Sequence, residues 1–99
     1  MAIRHLVLLN FKDDLSPATR TELETAFVAL SLQIDGITAF DWGINHSVEG
    51  LGKGFTHVFN FTFVDAPARD AYMVHPAHLA FVAQLQPCLD DVIVLDYDL

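Results

Sequence analysis

Residues 55 to 64 alternate without a break. Phe55, His57, Phe59, Phe61 and Phe63 fall on one side, and Thr56, Val58, Asn60, Thr62 and Val64 on the other. A period of two is the mark of a β-strand. Residues 3 to 11 do the same, with Ile3, His5, Val7, Leu9 and Phe11 facing one way and Arg4, Leu6, Leu8 and Asn10 the other. Both strands therefore carry apolar residues on two faces. One face has the larger side chains and suits packing against helices. The other needs a separate cover, and a second copy of the chain, meeting it sheet to sheet, is the economical answer.

The rest of the chain fills in around these strands. Ser16 followed by Pro17 is a helix start, a hydroxyl cap with proline at the first helical position. Leu23, Phe27, Leu30 and Ile34 recur at helical spacing, which predicts an amphipathic helix over 17–34, ended by Gly36. A second strand is expected over 37–45, with Phe40, Trp42 and Ile44 on one side. The loop Gly50-Leu51-Gly52-Lys53-Gly54 lacks phosphate-loop spacing and reads as a plain strand connection. A short helix over 66–73 is followed by one that opens at Pro76 and ends near Pro87. The last strand is expected over 91–98. The order β-α-β-β-α-β is ferredoxin-like, an antiparallel α+β sheet with its helices on one face.

Bulk properties narrow the function. The 99 residues suit one domain, 1–99, with no room for two cores. The formal net charge of -8 argues against nucleic acid and against anionic membrane surfaces. No apolar run has the length of a membrane span, and the start of the chain does not read as a signal peptide. The single cysteine, Cys88, excludes an internal disulfide and sits among apolar and acidic neighbours that suppress thiolate formation. A cytoplasmic protein is expected.

Chemistry concentrates in Tyr72-Met73-Val74-His75-Pro76-Ala77-His78. With His5 and His57 on the large-residue face of neighbouring strands, Tyr72 and His78 are expected to converge in a pocket. Its walls would be Leu9, Phe27, Phe59, Phe61 and Phe81. Any one of these histidines alone reads as a core residue bonded to a carbonyl, and Tyr72 alone as a core tyrosine. His75 precedes proline, which pushes its backbone towards extended geometry, so it reads as a helix-entry residue that supports the site from behind. His46 reads as a loop residue. A metal held by His75, His78 and a third imidazole is a rival reading, weakened by the turn before Pro76 and by the lack of a cysteine pair or nearby carboxylate. No nucleophile motif supports acyl-enzyme chemistry.

Several of these segments resemble one family. Ile3-Arg4-His5-Leu6-Val7, Gly54-Phe55-Thr56-His57, the Tyr72 to His78 stretch and the closing Asp96-Tyr97 are similar to the stress-responsive A/B barrel, or Dabb, domain over nearly the whole chain. The resemblance implies a homodimeric α+β barrel, two sheets face to face with helices outside. Within that family the chain looks most like a plant polyketide cyclase, which closes a linear tetraketide thioester by aldol condensation without a cofactor. That likeness implies His78 as the base that removes a proton α to a carbonyl, and Tyr72 as the donor to the developing enolate. It implies His5 and His57 as residues that line the pocket and orient substrate or water. Three readings follow: a cofactor-independent lyase or cyclase acting on a polyketide-like or phenolic molecule; a non-catalytic stress-response dimer that binds a small hydrophobic or aromatic ligand; and a metal-binding protein or cofactor-free monooxygenase on the same fold.

Overall fold

The computed structural model describes all 99 residues. Its elements are β1 (Ile3–Phe11), α1 (Pro17–Gln33), β2 (Ile37–Ile44), β3 (His57–Phe63), α2 (Ala66–Val74), α3 (Pro76–Leu85) and β4 (Leu89–Asp98). A single 3-10 turn, Gln86–Cys88, leads into β4. The strands make one sheet in the order β2-β3-β1-β4, and every neighbouring pair is antiparallel. This is the ferredoxin-like α+β arrangement expected from the sequence, with β1 and β3 at the centre.

Local signals explain the elements. The Ser16 hydroxyl accepts from the Thr19 backbone N–H at 3.1 Å, and Pro17 opens α1 with no donor to lose. Asp65 caps α2 in the same way, accepting from the Ala68 N–H at 2.9 Å. Gly36 returns the chain from α1 to β2 with φ +91, and a Cβ there would sit 2.7 Å from the Ala68 Cβ. Both the left-handed backbone and the close approach of α2 therefore demand glycine.

The core lies between the helices and one face of the sheet. Ile3, His5, Val7, Leu9 and Phe11 alternate inward on β1, and His57, Phe59, Phe61 and Phe63 do so on β3. Leu23, Phe27 and Leu30 of α1 pack down on them. The Phe27 ring stacks on Phe59 at 3.8 Å, and Phe81 of α3 meets Phe27 edge-on at 4.5 Å.

Two boundaries differ from the sequence reading. β3 starts at His57 rather than residue 55. Lys53 and Gly54 both take positive φ, so the turn runs on to Phe55, whose N–H bonds the Gly52 carbonyl at 3.0 Å. Phe55 consequently rests with Leu8, Val58 and Ile93 on the opposite face from Phe59. β4 begins two residues early, at Leu89, where a register shift at Asn10/Phe11 lets Phe11 pair with it.

The outer face of the sheet has no helix over it. Leu6, Leu8 and Val58 are half-buried there, while Ile93, Leu95 and Tyr97 of the edge strand are exposed. No helix of the molecule is long and apolar enough to cross a membrane.

Candidate active site

The break between α2 and α3 builds the site. His75 takes extended backbone, φ -65 and ψ 135, as the residue before Pro76 must, and it serves both helices. Its N–H bonds the Tyr72 carbonyl at 3.1 Å, closing α2. Its Nδ1 accepts from the Ala77 N–H at 3.0 Å, opening α3. The kink lets Tyr72, in the last turn of α2, and His78, in the first turn of α3, lie against each other. Their ring centroids are 4.2 Å apart.

Each ring is poised differently. The Tyr72 side chain is buried, and burial pushes its phenol well above the ordinary tyrosine range. It stays protonated at neutral pH as a hydrogen-bond donor. His78 is half-buried, and its pKa is lowered. Burial is the main cause; the bond to the Met73 carbonyl opposes it, and the neighbouring His5 and His75 add to it electrostatically. The Nδ1–H of His78 donates to the Met73 carbonyl at 3.2 Å. In the neutral ring that leaves Nε2 as a free lone pair, the state a general base requires.

His5 approaches the same point from β1. Its ring meets Tyr72 edge-on at 5.8 Å and Phe61 at 5.6 Å. Nδ1–H donates to Asp96 Oδ1 at 2.6 Å, and Arg69 donates to Asp96 Oδ2 at 3.0 Å. Register places this pair, since His5 lies directly opposite Asp96 across the β1–β4 ladder. The carboxylate fixes the His5 tautomer, and Arg69 fixes the carboxylate.

These groups border a cavity of about 300 Å³. His5, Tyr72 and His78 line it together with Phe27, Phe81 and the aliphatic chains of Leu85, Leu89, Val92 and Val94. Of the walls expected from sequence, Phe27 and Phe81 border the cavity. Leu9, Phe59 and Phe61 are fully buried behind it. His57 lies elsewhere, because the antiparallel pairing sets it opposite Leu9, four residues along β1 from His5. It bonds Glu24 and Thr56 at a different cleft. His75 caps α3 and does not line the cavity. No group of three or more His, Cys, Asp and Glu side chains is arranged to hold a metal ion.

Asp96 and Arg69 were missed as site residues. Asp96 shares the inward parity of Val92 and Val94 on β4, and an acid on an inward strand face was the available signal. Arg69 carries no such mark, because only the packing of α2 brings it to Asp96.

The chain is similar to known proteins of one family. A family model for the Stress responsive A/B Barrel Domain matches residues 3–99. The chain belongs to that family. This Dabb-family chain is 39% identical over 95 residues to the stress-response A/B barrel domain-containing protein HS1 of Arabidopsis thaliana, an alignment spanning 96% of this chain and 87% of that one. It is 29% identical over 97 residues to olivetolic acid cyclase of Cannabis sativa, spanning 98% and 96% respectively. Among solved structures, it matches a dimeric ferredoxin-like protein of unknown function from Jannaschia sp. CCS1 with a TM-score of 0.86 and 27% identity, over 100% of each chain.

Proposed function

We propose that this Dabb-family protein is a cofactor-independent lyase or cyclase, active as a homodimer, that acts on a polyketide-like or phenolic small molecule. The observation that carries the reading is His78 and Tyr72 in contact over one apolar cavity, the first with a free Nε2 and the second a buried, protonated phenol. His78 Nε2 takes a proton from the carbon α to a substrate carbonyl. Tyr72 donates to the oxygen on which the enolate charge develops, where a desolvated donor acts most strongly. The enolate carbon bonds to a second carbonyl carbon of the substrate, and the proton on His78 passes to the new alkoxide. His5, held by Asp96 and Arg69, keeps the substrate oxygen against Tyr72. The likeness to a relative named as a cyclase supports this chemistry.

A non-catalytic dimer that binds a hydrophobic ligand is the second reading, favoured by the 39% identity to a stress-response domain protein. A thermal-shift screen of polyketide-like and aromatic acids, run on wild type and His78→Ala and followed by turnover assays on the hits, separates the two. A ligand that binds only the folded state raises the melting temperature. The proposal expects a shift that weakens in the variant, and turnover that the variant lacks. Equal turnover by both proteins contradicts it.

A further inference from the structure

His5 and His57 are the two polar side chains of the core, each 4% exposed. The first belongs to the site above; the second borders a separate cleft of about 490 Å³ with Lys12, Arg20, Glu24 and Thr56. For the neutral ring, geometry sets the hydrogens of His57. Glu24 Oε2 lies 2.7 Å from Nε2, and a carboxylate only accepts, so Nε2 carries the hydrogen. In the neutral ring Nδ1 is then a bare lone pair, and Thr56 Oγ1 lies 2.7 Å from it. The Thr56 hydroxyl therefore donates to His57, which donates to Glu24. The imidazole is also held in orientation. Trp42 stacks parallel to it at 6.0 Å and Phe11 meets it edge-on at 4.9 Å.

A hydroxyl, an imidazole and a carboxylate in series is the wiring of an activated nucleophile, recognised by geometry rather than by order in the sequence. The three come from a loop, a strand and a helix, with Glu24 33 residues from His57, so no local motif announces them. Thr56 is exposed to the cleft. The cleft also selects for charge. The ion pairs of the molecule are His5–Asp96, His57–Glu24 and those of Arg69, so Lys12 and Arg20 have no acidic partner. Asp13 borders the cleft too, and Glu24 is committed to His57. Lys12 and Arg20 stand on the cleft outside any ion pair, and are available to an anionic group on a ligand.

We propose that Thr56, His57 and Glu24 form a second catalytic site, which hydrolyses small esters that carry a carboxylate. Thr56 Oγ1 attacks the ester carbonyl carbon as its proton passes to His57 Nδ1. The carbon–oxygen bond to the alcohol breaks, and His57 returns the proton to the leaving oxygen. Water then attacks the acyl–Thr56 ester, giving one proton through His57 to Thr56 and releasing the acid. Ester and water become acid and alcohol, with no change of oxidation state. Lys12 and Arg20 supply the positive charge that the substrate carboxylate and the developing oxyanion both need. Glu24 is a positioning residue that acts through His57. This activity goes beyond the function proposed above and uses none of its residues.

The test is release of 4-nitrophenol from mono(4-nitrophenyl) succinate by purified wild-type protein, beside the neutral 4-nitrophenyl butyrate. We expect saturable hydrolysis of the succinate above the buffer rate. Thr56→Val lowers that rate about a hundredfold, the low end of what a positioned acid–base system contributes, whereas Thr56→Ser keeps activity. Glu24→Gln, which retains the helix and the packing, lowers kcat and alters its pH profile. Arg20→Ala raises KM for the succinate more than for the butyrate. Mass spectrometry of quenched protein finds the acyl group on Thr56. No hydrolysis above buffer, wild-type rates in Thr56→Val, or acylation on lysine instead of Thr56 would each overturn the proposal.

Discussion

At the scale of single residues, two rings carry opposite tasks. His78→Ala should lower turnover by about 10²–10⁴-fold, the range for loss of a positioned base, with little change in melting temperature. Tyr72→Phe keeps the buried ring and loses only the donor, so it should lower kcat by about 10²–10³-fold while the fold holds. Because burial lowers the His78 pKa, the base stays neutral below the ordinary histidine value of about 6.5. The acid limb of the pH–rate profile should therefore fall through a pKa below that value and move in His78→Ala. The same shift acts on stability. The unfolded chain takes the proton first, so the contribution of His78 is complete above the unfolded value and is lost as pH falls through the folded one. The residue types were legible in the sequence, since Tyr72, His78 and His5 all line one cavity. What was not legible is pairing across the sheet. Asp96 against His5 and Glu24 against His57 depend on register and helix placement that no local pattern encodes.

At the scale of elements, the turns decide where the chemistry sits. His75 joins two helices through backbone and ring nitrogen alike. Replacing it with alanine should cost about 1 kcal/mol, a typical capping loss, read as a lower urea midpoint, and asparagine should restore much of it. Gly36 is the harder constraint. Gly36→Ala meets both a positive φ and a contact at 2.7 Å with Ala68, and should destabilise by about 1–3 kcal/mol or more. Strand and helix identities could be read because two periods, 2 and 3.6, run cleanly through β1, β3 and α1. The misplaced end was Phe55. Its alternation with His57 is real in the sequence, but the positive φ of Lys53 and Gly54 turns the backbone and sends that ring to the other face.

At the scale of the whole molecule, the uncovered sheet face calls for a partner. Ile93, Leu95 and Tyr97 stand exposed there beside half-buried Leu6 and Leu8. The same face holds two buried polar atoms without a partner, Arg4 Nε and Asn60 Oδ1. Buried groups of that kind cost about 1–3 kcal/mol each unless something bonds them, and a second sheet would cover the apolar area. Light scattering should give about twice the 11.0 kDa chain mass. Leu95→Asp, which places a charge on that apolar face, should shift the protein towards monomer and lower its melting temperature. A wild-type mass near 11.0 kDa would remove the case for the homodimer.

The proposed reaction requires His78 to take a proton from carbon. Deuterium exchange at the α carbon of an alkyl aryl ketone, followed by NMR in heavy water, reads that step without the natural substrate. Exchange faster than buffer with wild type and at the buffer rate with His78→Ala is the predicted result. Equal exchange by the two proteins would contradict it.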